Sequence, residues 1–259
     1  MQRSSLLVLG ALMVLSACAS CSTTGAGGEK QLPDGCDALV EPGEEAYTEL
    51  LTALMDATPG TTVCLSAGIY NFIDELSISG DGVMLRGASR DATILDCTNQ
   101  TIGANGVKIS GDDVTITALT VKDTPGDGIR GDEVKNITYD DVAVIWTDKE
   151  STGNGAYGFY PVGCDGVTIR NSLVVGARDA GIYVGQSKNV LVEDSEAHGN
   201  VAGVEFENTT DAVVRRVHAH DNTAGILIFN LPGLPVQDGK RTLAYDNIVE
   251  NNNVANFGE

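Results

Sequence analysis

Three stretches, "DAGIYVGQS" from 179, "VAGVEFENT" from 201 and "TAGILIFNL" from 223, repeat one chemistry at an interval of 22 residues. Gly181, Gly203 and Gly225 hold the same place in each, and apolar side chains alternate behind them. Alternation of period two, rich in β-branched residues, marks strands rather than a helix. Earlier in each unit comes another alternating pair: Val114 with Ile116, Ile137 with Tyr139, Val167 with Ile169, Val190 with Val192, and Ala212 with Val214. A third set follows shortly after, as in Leu119 with Val121, Val142 with Val144, and Ser195 with Ala197. A unit this short cannot bury its own apolar side, so it has to stack on copies of itself. Parallel strands joined through turns coil right-handedly. The expected fold is therefore all-β, a right-handed parallel β-helix whose coils rise about 4.8 Å each.

Stacking assigns work to the repeated polar positions. Asn200 above Asn222 and Asn208 above Asn230 are expected to hydrogen-bond along the axis through their amides. The recurring glycine is expected to permit a turn conformation that a side chain would hinder. On the glycine-led strands Ile129, Phe159, Ile182, Val204 and Ile226 point inward. Arg130, Tyr160, Tyr183, Glu205 and Leu227 point outward, and Glu207 and Phe229 extend that set. At the start, "EEAYTELLTALMDATPG" places Tyr47, Leu50, Leu51 and Leu54 at helical spacing, which predicts a capping α-helix stopped by Pro59-Gly60. At the other end "LAYDNIVENNNVANFGE" breaks off within the pattern. That edge is expected to be truncated, or covered by a partner or a second molecule.

The first residues have the layout of an export leader. "MQRSSLLVLGALMVLSAC" carries Arg3, an apolar run from Leu6 to Leu15, and small residues before Cys18. The run is too short to span a bilayer, which takes about 20 apolar residues. "LSAC" resembles the lipobox of bacterial lipoproteins, which implies lipidation of Cys18; an ordinary secretory signal is the alternative. Ala19 after the cysteine favours the outer membrane, or a periplasm-facing site, within the cell envelope. The expected organisation is a signal peptide over 1–17, a flexible small-residue tether over 18–31, a cap and first coil over 32–80, and β-helix repeats over 81–259. Of six cysteines, Cys36 and Cys64 both fall in the cap and are expected to pair. Their bond would remove roughly 3 to 4 kcal/mol of chain entropy from the unfolded state. Cys97 and Cys164 are expected as buried small hydrophobes.

The formal net charge is −20. Nucleic acids and anionic lipid headgroups, which are bound through basic patches, are excluded as partners. A polyuronate would be repelled unless a divalent cation bridged the charges.

"PGTTVCLSAGIY", "NGAYGFYPVGC", "DAGIYVGQSKNVLVEDSEAHGNVAGVEFEN" and "NTAGILIFNLPGLPVQDGK" together resemble a family of exported bacterial parallel β-helix repeat proteins within the pectate-lyase-like superfamily. The resemblance covers about residues 40 to 258 and implies fold and export. The superfamily contains lyases, hydrolases, epimerases and adhesins, so it does not choose a reaction.

Two insertions, 146–156 and 231–240, interrupt otherwise minimal coils and are expected to wall opposite margins of the glycine-led face. On that face Tyr160 and Tyr183, one coil apart beside carboxylates, suit the stacking and hydrogen-bonding of a sugar ring. Hydrolysis needs two carboxylates about 5 to 9.5 Å apart, one of them protonated. The candidate catalytic residues are Asp179, Glu205 and Tyr183; the candidate substrate-binding residues are Arg130, Tyr157, Tyr160, Glu207, His198 and His220. Elimination or epimerisation would need a base and a cation at the uronate, from Arg130, Arg178, Lys188 or the histidines. His198 and His220 are 22 apart and read as stacked turn residues. No cofactor is required. Asp112-Asp113 and Asp140-Asp141 could share calcium through hard oxygen ligands, with solvated turn acids as the alternative, and no zinc motif is present. The expected function is binding, with modification of lyase, hydrolase or epimerase type, of a polysaccharide by a lipid-anchored envelope protein. The alternative is a non-catalytic structural or protein-interaction module whose partner is an envelope protein.

Overall fold

A computed structural model describes residues 32–258. The leader, Cys18 with its lipidation, Cys21 and the tether lie outside the described residues. Inside them the chain winds as a parallel β-helix. One sheet has seven strands: Asp74–Ile78, Ile102–Ile109, Ile129–Asp132, Phe159–Val162, Ala180–Gly185, Ala202–Glu207 and Ala224–Phe229. Each pairs in parallel with the next coil's strand. The other sheet has fifteen strands and covers two faces, because Thr115–Lys122 and Lys135–Ile145 turn a corner from one face to the other.

The register is the one the repeat predicts. Ile129, Phe159, Ile182, Val204 and Ile226 lie one above another. The first four are fully buried and Ile226 is partly buried. Each such side chain contributes about 1.5 to 3 kcal/mol on leaving water. The last coil leaves Ile228, Leu243, Tyr245, Ile248 and Val249 exposed.

Corners are made by columns of left-handed residues. Asn136, Gly166, Asn189, Asp211 and Arg241 occupy one register position in successive coils, and every one has positive φ, between 53° and 86°. Asp141, Asn171, Asp194, Arg216 and Asp246 form a second such column, φ 49° to 57°. Asparagine and aspartate tolerate this region because their short polar side chains bond locally, which offsets part of the ordinary steric cost.

The repeated glycine has a different role from the expected one. Gly181, Gly203 and Gly225 do not have the positive φ that a glycine-only turn would require. What they lack is room: a Cβ on Gly203 would lie 2.7 Å from the Gly225 carbonyl oxygen and 3.1 Å from the Asn222 amide. A Cβ on Gly181 would lie 2.9 Å from the Asn200 amide. Glycine thus opens the space that the asparagine ladder fills.

That ladder is continuous along one corner. The Asn200 amide Nδ2 donates to Asn222 Oδ1 at 3.0 Å, and Asn222 Nδ2 donates to Asn252 Oδ1 at 2.9 Å. The backbone N–H groups of Asn200 and Asn222 donate to the same oxygens, at 2.9 and 3.1 Å. Asn222 Nδ2 also reaches the Ala197 carbonyl at 3.0 Å. The second expected ladder does not form. Asn208 instead accepts from the Leu231 N–H and donates to the Leu231 and Val236 carbonyls, while Asn230 spans its own loop to Gly239. The 231–239 insertion takes the partner that stacking would have supplied.

The start is capped by the helix Ala46–Met55, which buries Ala46, Leu50 and Leu54 on the first coils. Tyr47 meets Phe72 edge to face at 5.2 Å and donates to the Glu75 carbonyl. Cys36 and Cys64 form a disulfide with Cα atoms 5.8 Å apart, joining the segment before Ala38–Val40 to the strand Thr62–Leu65. Cys97 and Cys164 are free and buried.

Replacing Asn222 by Ala leaves the Asn200 N–H and the Ala197 carbonyl buried without their partners, each costing about 1 to 3 kcal/mol. Chemical denaturation should show a loss of about 2 to 5 kcal/mol for Asn222→Ala, and a loss below about 0.5 kcal/mol would show the ladder to be structurally idle.

Candidate functional site

The outward side of the seven-stranded sheet carries a cluster of aromatic and ionisable side chains. Register places Arg130 beside Tyr160, Tyr183 beside Glu205, and Glu205 beside Leu227. The tyrosines pack on one another: Tyr157 and Tyr160 are parallel with centroids 4.3 Å apart, and Tyr183 meets them at 4.8 and 5.0 Å. The Arg130 guanidinium carbon sits 4.9 Å from the Tyr160 ring centroid, a cation–π distance.

The packing changes what each tyrosine can do. Tyr183 is only 6% exposed, so it supports the face from beneath and does not offer its ring as a platform. Gly185, two residues on and on the same side, makes room for it; a Cβ there would lie 2.5 Å from the Tyr183 hydroxyl. Tyr157 and Tyr160 are the half-buried rings at the surface. Burial first, and then Asp179, raises the Tyr157 hydroxyl above its ordinary value; burial and then Glu207 do the same for Tyr183. Both therefore act as hydrogen-bond donors rather than bases.

Asp179, Glu205 and Glu207 converge around these rings. Burial, followed by the neighbouring Asp179 and Glu207, pushes the Glu205 carboxyl up to about 7. A carboxyl so placed holds its proton near neutrality beside two other carboxyl groups, which is the asymmetry that acid–base work requires. Asp127 is a site residue that the repeat did not single out. Burial pushes its carboxyl up to about 6 despite the opposing pull of Arg130. Its sequence signal was available: Asp127 precedes Gly128 and the strand Ile129–Asp132, much as Asp179 precedes Ala180-Gly181. Arg130 is held between Asp127 at 3.5 Å and Asp132 at 2.9 Å.

The margins are built by loops. In the 146–156 insertion Asn154 Nδ2 donates to the Asp148 and Gly176 carbonyls at 2.7 Å, fixing the loop where the chain enters this sheet. The 231–239 insertion stands where the chain leaves it, bound to Asn208. The last described residues add a wall not anticipated from sequence. Val254 donates to the Asn222 carbonyl, and the chain continues past Val201, so that Asn256 and Gly258 enclose a cleft of about 310 Å³ with Ala156, Arg178 and Asp179.

His198 and His220 do not join this site. They stand in the short strands Glu196–His198 and His218–His220 of the fifteen-stranded sheet, not at a turn, and their rings stack at 4.9 Å. The acidic pairs considered for calcium are also separated. Asp113 accepts from Asn136 one coil away, whereas Asp140 binds Arg170 and Asn171 on a different corner, so the four carboxyl groups do not face one another.

Comparison with known proteins adds three findings. The family described as right handed beta helix region matches residues 105–258. No curated protein matches the sequence. Among solved structures, the A-module of the mannuronan C-5 epimerase AlgE4 from Azotobacter vinelandii superposes with a TM-score of 0.62 at 19% identity over 82% of this chain. The catalytic domain of a GH87 alpha-1,3-glucanase, in complex with tetrasaccharides, gives 0.54 at 16% identity over 83%. The chain spans 66% of the epimerase module and 46% of the glucanase domain. At these identities the likeness is one of fold.

Because the Glu205 carboxyl is raised in the folded state, it lowers stability once ionised. Its unfavourable contribution is absent below the unfolded value of about 4.5 and grows as pH rises to about 7. Glu205→Gln should therefore gain stability relative to the parent between pH 5 and pH 8, by no more than about 3 kcal/mol. Thermal melts of both proteins at the two pH values measure this, and a difference independent of pH would show that Glu205 is not held protonated.

Proposed function

The chain belongs to the right-handed β-helix family, and we propose that it binds an extended polysaccharide along the outward face of the seven-stranded sheet and acts on it by proton transfer. The observation that carries this reading is the convergence of Glu205, a partly buried carboxyl pushed up to about 7, with Asp179 and Glu207 beside the stacked Tyr157 and Tyr160. In a hydrolytic cycle the Glu205 proton goes to the glycosidic oxygen as the bond breaks. A neighbouring carboxylate, Asp179 or Glu207, takes a proton from the attacking water. Tyr157 and Tyr160 supply an apolar surface for a pyranose ring, and the cleft beside Asp179 holds a further unit.

A neutral polymer suits the charges better than a polyuronate. The net charge is −20, which repels a polyuronate. Arg130 is engaged by Asp127 and Asp132, so Lys108 beside it in register and Arg178 in the cleft are the cations that could meet an anionic sugar. Elimination or epimerisation needs a cation free to neutralise the uronate. An alpha-1,3-glucanase domain and an epimerase module share the fold, and both act on polysaccharides. The leader ending at Cys18 supports placing this activity in the cell envelope, on a lipid anchor.

A non-catalytic interaction module is the second reading. It is favoured by the self-packing of the tyrosines, since Tyr183 is nearly buried and the three rings satisfy one another without a ligand.

A glycan array with and without calcium, followed by reducing-end and unsaturated-product assays on the polymers bound, separates the readings. Tyr160→Ala should weaken glycan binding at least about tenfold, the order of 1 to 2 kcal/mol carried by a stacked ring. Glu205→Gln should retain binding and lower turnover by about 10²- to 10⁴-fold. No glycan bound, together with capture of an envelope protein, would sink the first reading.

A further inference from the structure

On a different face, the strands Glu196–His198, His218–His220 and Ile248–Glu250 stack in register, pairing Glu196 with His218, His198 with His220, and His220 with Glu250. Ala219 is fully buried, so the histidines on either side of it both point outward from one strand. Two imidazoles two residues apart on a strand, with a carboxylate on the next strand, converge without any loop to order. Among the described residues, this is where histidine and acidic side chains bring three ligand atoms within 4.8 Å of one another.

We propose that Glu196, His218 and His220 form a binding site for a divalent cation of the zinc class. His220 Nε2 is 3.1 Å from Glu196 Oε1. Ligand atoms bound to tetrahedral zinc at about 2.0 to 2.1 Å lie roughly 3.3 Å apart, so this pair is already spaced for a shared ion. The other nitrogen of His220 is 2.7 Å from Asp221 Oδ2. That contact fixes the Nδ1–H tautomer and leaves Nε2 free as a donor to the metal, the outer-sphere arrangement usual for ligating histidines. Glu250 Oε1 lies 3.1 Å from His218 Nε2, and the fourth position of a tetrahedral ion would take water. His198 stacks on His220 at 4.9 Å and covers one side of the site.

Two imidazole nitrogens and one carboxylate select zinc and its neighbours over calcium, which takes six to eight oxygens. The surface is acidic overall, which raises the local concentration of any divalent cation without distinguishing between them. The site lies apart from the tyrosine face, and the proposal stands whether or not the chain binds a glycan.

The test is calorimetric titration of the full chain, in detergent and without a histidine tag, with zinc chloride and separately with calcium chloride. The visible spectrum with cobalt(II) gives a second readout. One equivalent of zinc should bind in the presence of excess calcium, and cobalt should give the bands of a four-coordinate site with imidazole ligands. His218→Ala and His220→Ala should each weaken zinc at least by the roughly 10- to 100-fold that loss of an outer-sphere partner costs. Absence of saturable zinc binding, zinc heats abolished by calcium, or unchanged affinity in the His218 and His220 variants would overturn the assignment. Should a variant fail to fold by circular dichroism, the parent's cobalt spectrum decides, a six-coordinate pattern counting against the site.

Discussion

Everything in this molecule depends on coils stacking at the spacing of a hydrogen-bonded strand pair. That distance, about 4.8 Å, is set by the backbone and cannot be adjusted to suit a side chain. Each position must therefore be compatible with the residues directly above and below it. The inward column from Ile129 to Ile226 meets the demand with apolar side chains of differing size, Phe159 among them, because the core tolerates exchange of volume between layers. The corners meet it with asparagine, aspartate and glycine, which accept positive φ in coil after coil.

The glycine and asparagine at the start of the repeat are two halves of one solution. A buried corner leaves N–H and carbonyl groups that water cannot reach, and the amide of Asn222 serves the Asn200 N–H, the Ala197 carbonyl and the next amide in the stack. The amide needs space that only a residue without Cβ leaves, and Gly203 provides it. Where an insertion interrupts the stack, at 231–239, the amide of Asn208 turns to the loop instead. The same residue type thus builds either the ladder or the margin of the site, depending on whether another coil follows directly.

Architecture was legible in the sequence because each inward column repeats. Strand pairs and the outward set of Arg130, Tyr160, Tyr183 and Glu205 follow from alternation and the repeat, and the capping helix follows from the helical spacing of Tyr47, Leu50, Leu51 and Leu54. The site was legible only in outline. Alternation puts Tyr183 on the outer side of the sheet but does not show that Tyr157 and Tyr160 fold over it. Asp127 was missed because the longer interval from Ile129 to Phe159 breaks the regular repeat, so alternation alone did not align its coil with that of Asp179. The repeat links His198 to His220 one coil apart, but the pairing of His218 with His220 runs along a strand, which the repeat interval does not reveal. The calcium reading erred in register, since Asp113 and Asp140 belong to different corners.

The cross-link at the N-terminal end has a mechanical corollary. A solenoid held together by parallel ladders peels from its ends one rung at a time under tension. A pull on the chain ahead of Cys36 does not reach the helix Ala46–Met55 first; it passes through the sulfur bridge into the strand Thr62–Leu65, which is flanked by the strands Ala38–Val40 and Met84–Arg86. Load entering there is shared across several rungs as shear instead of opening the outermost one. The bridge thus makes the amino-terminal end a grip for the solenoid.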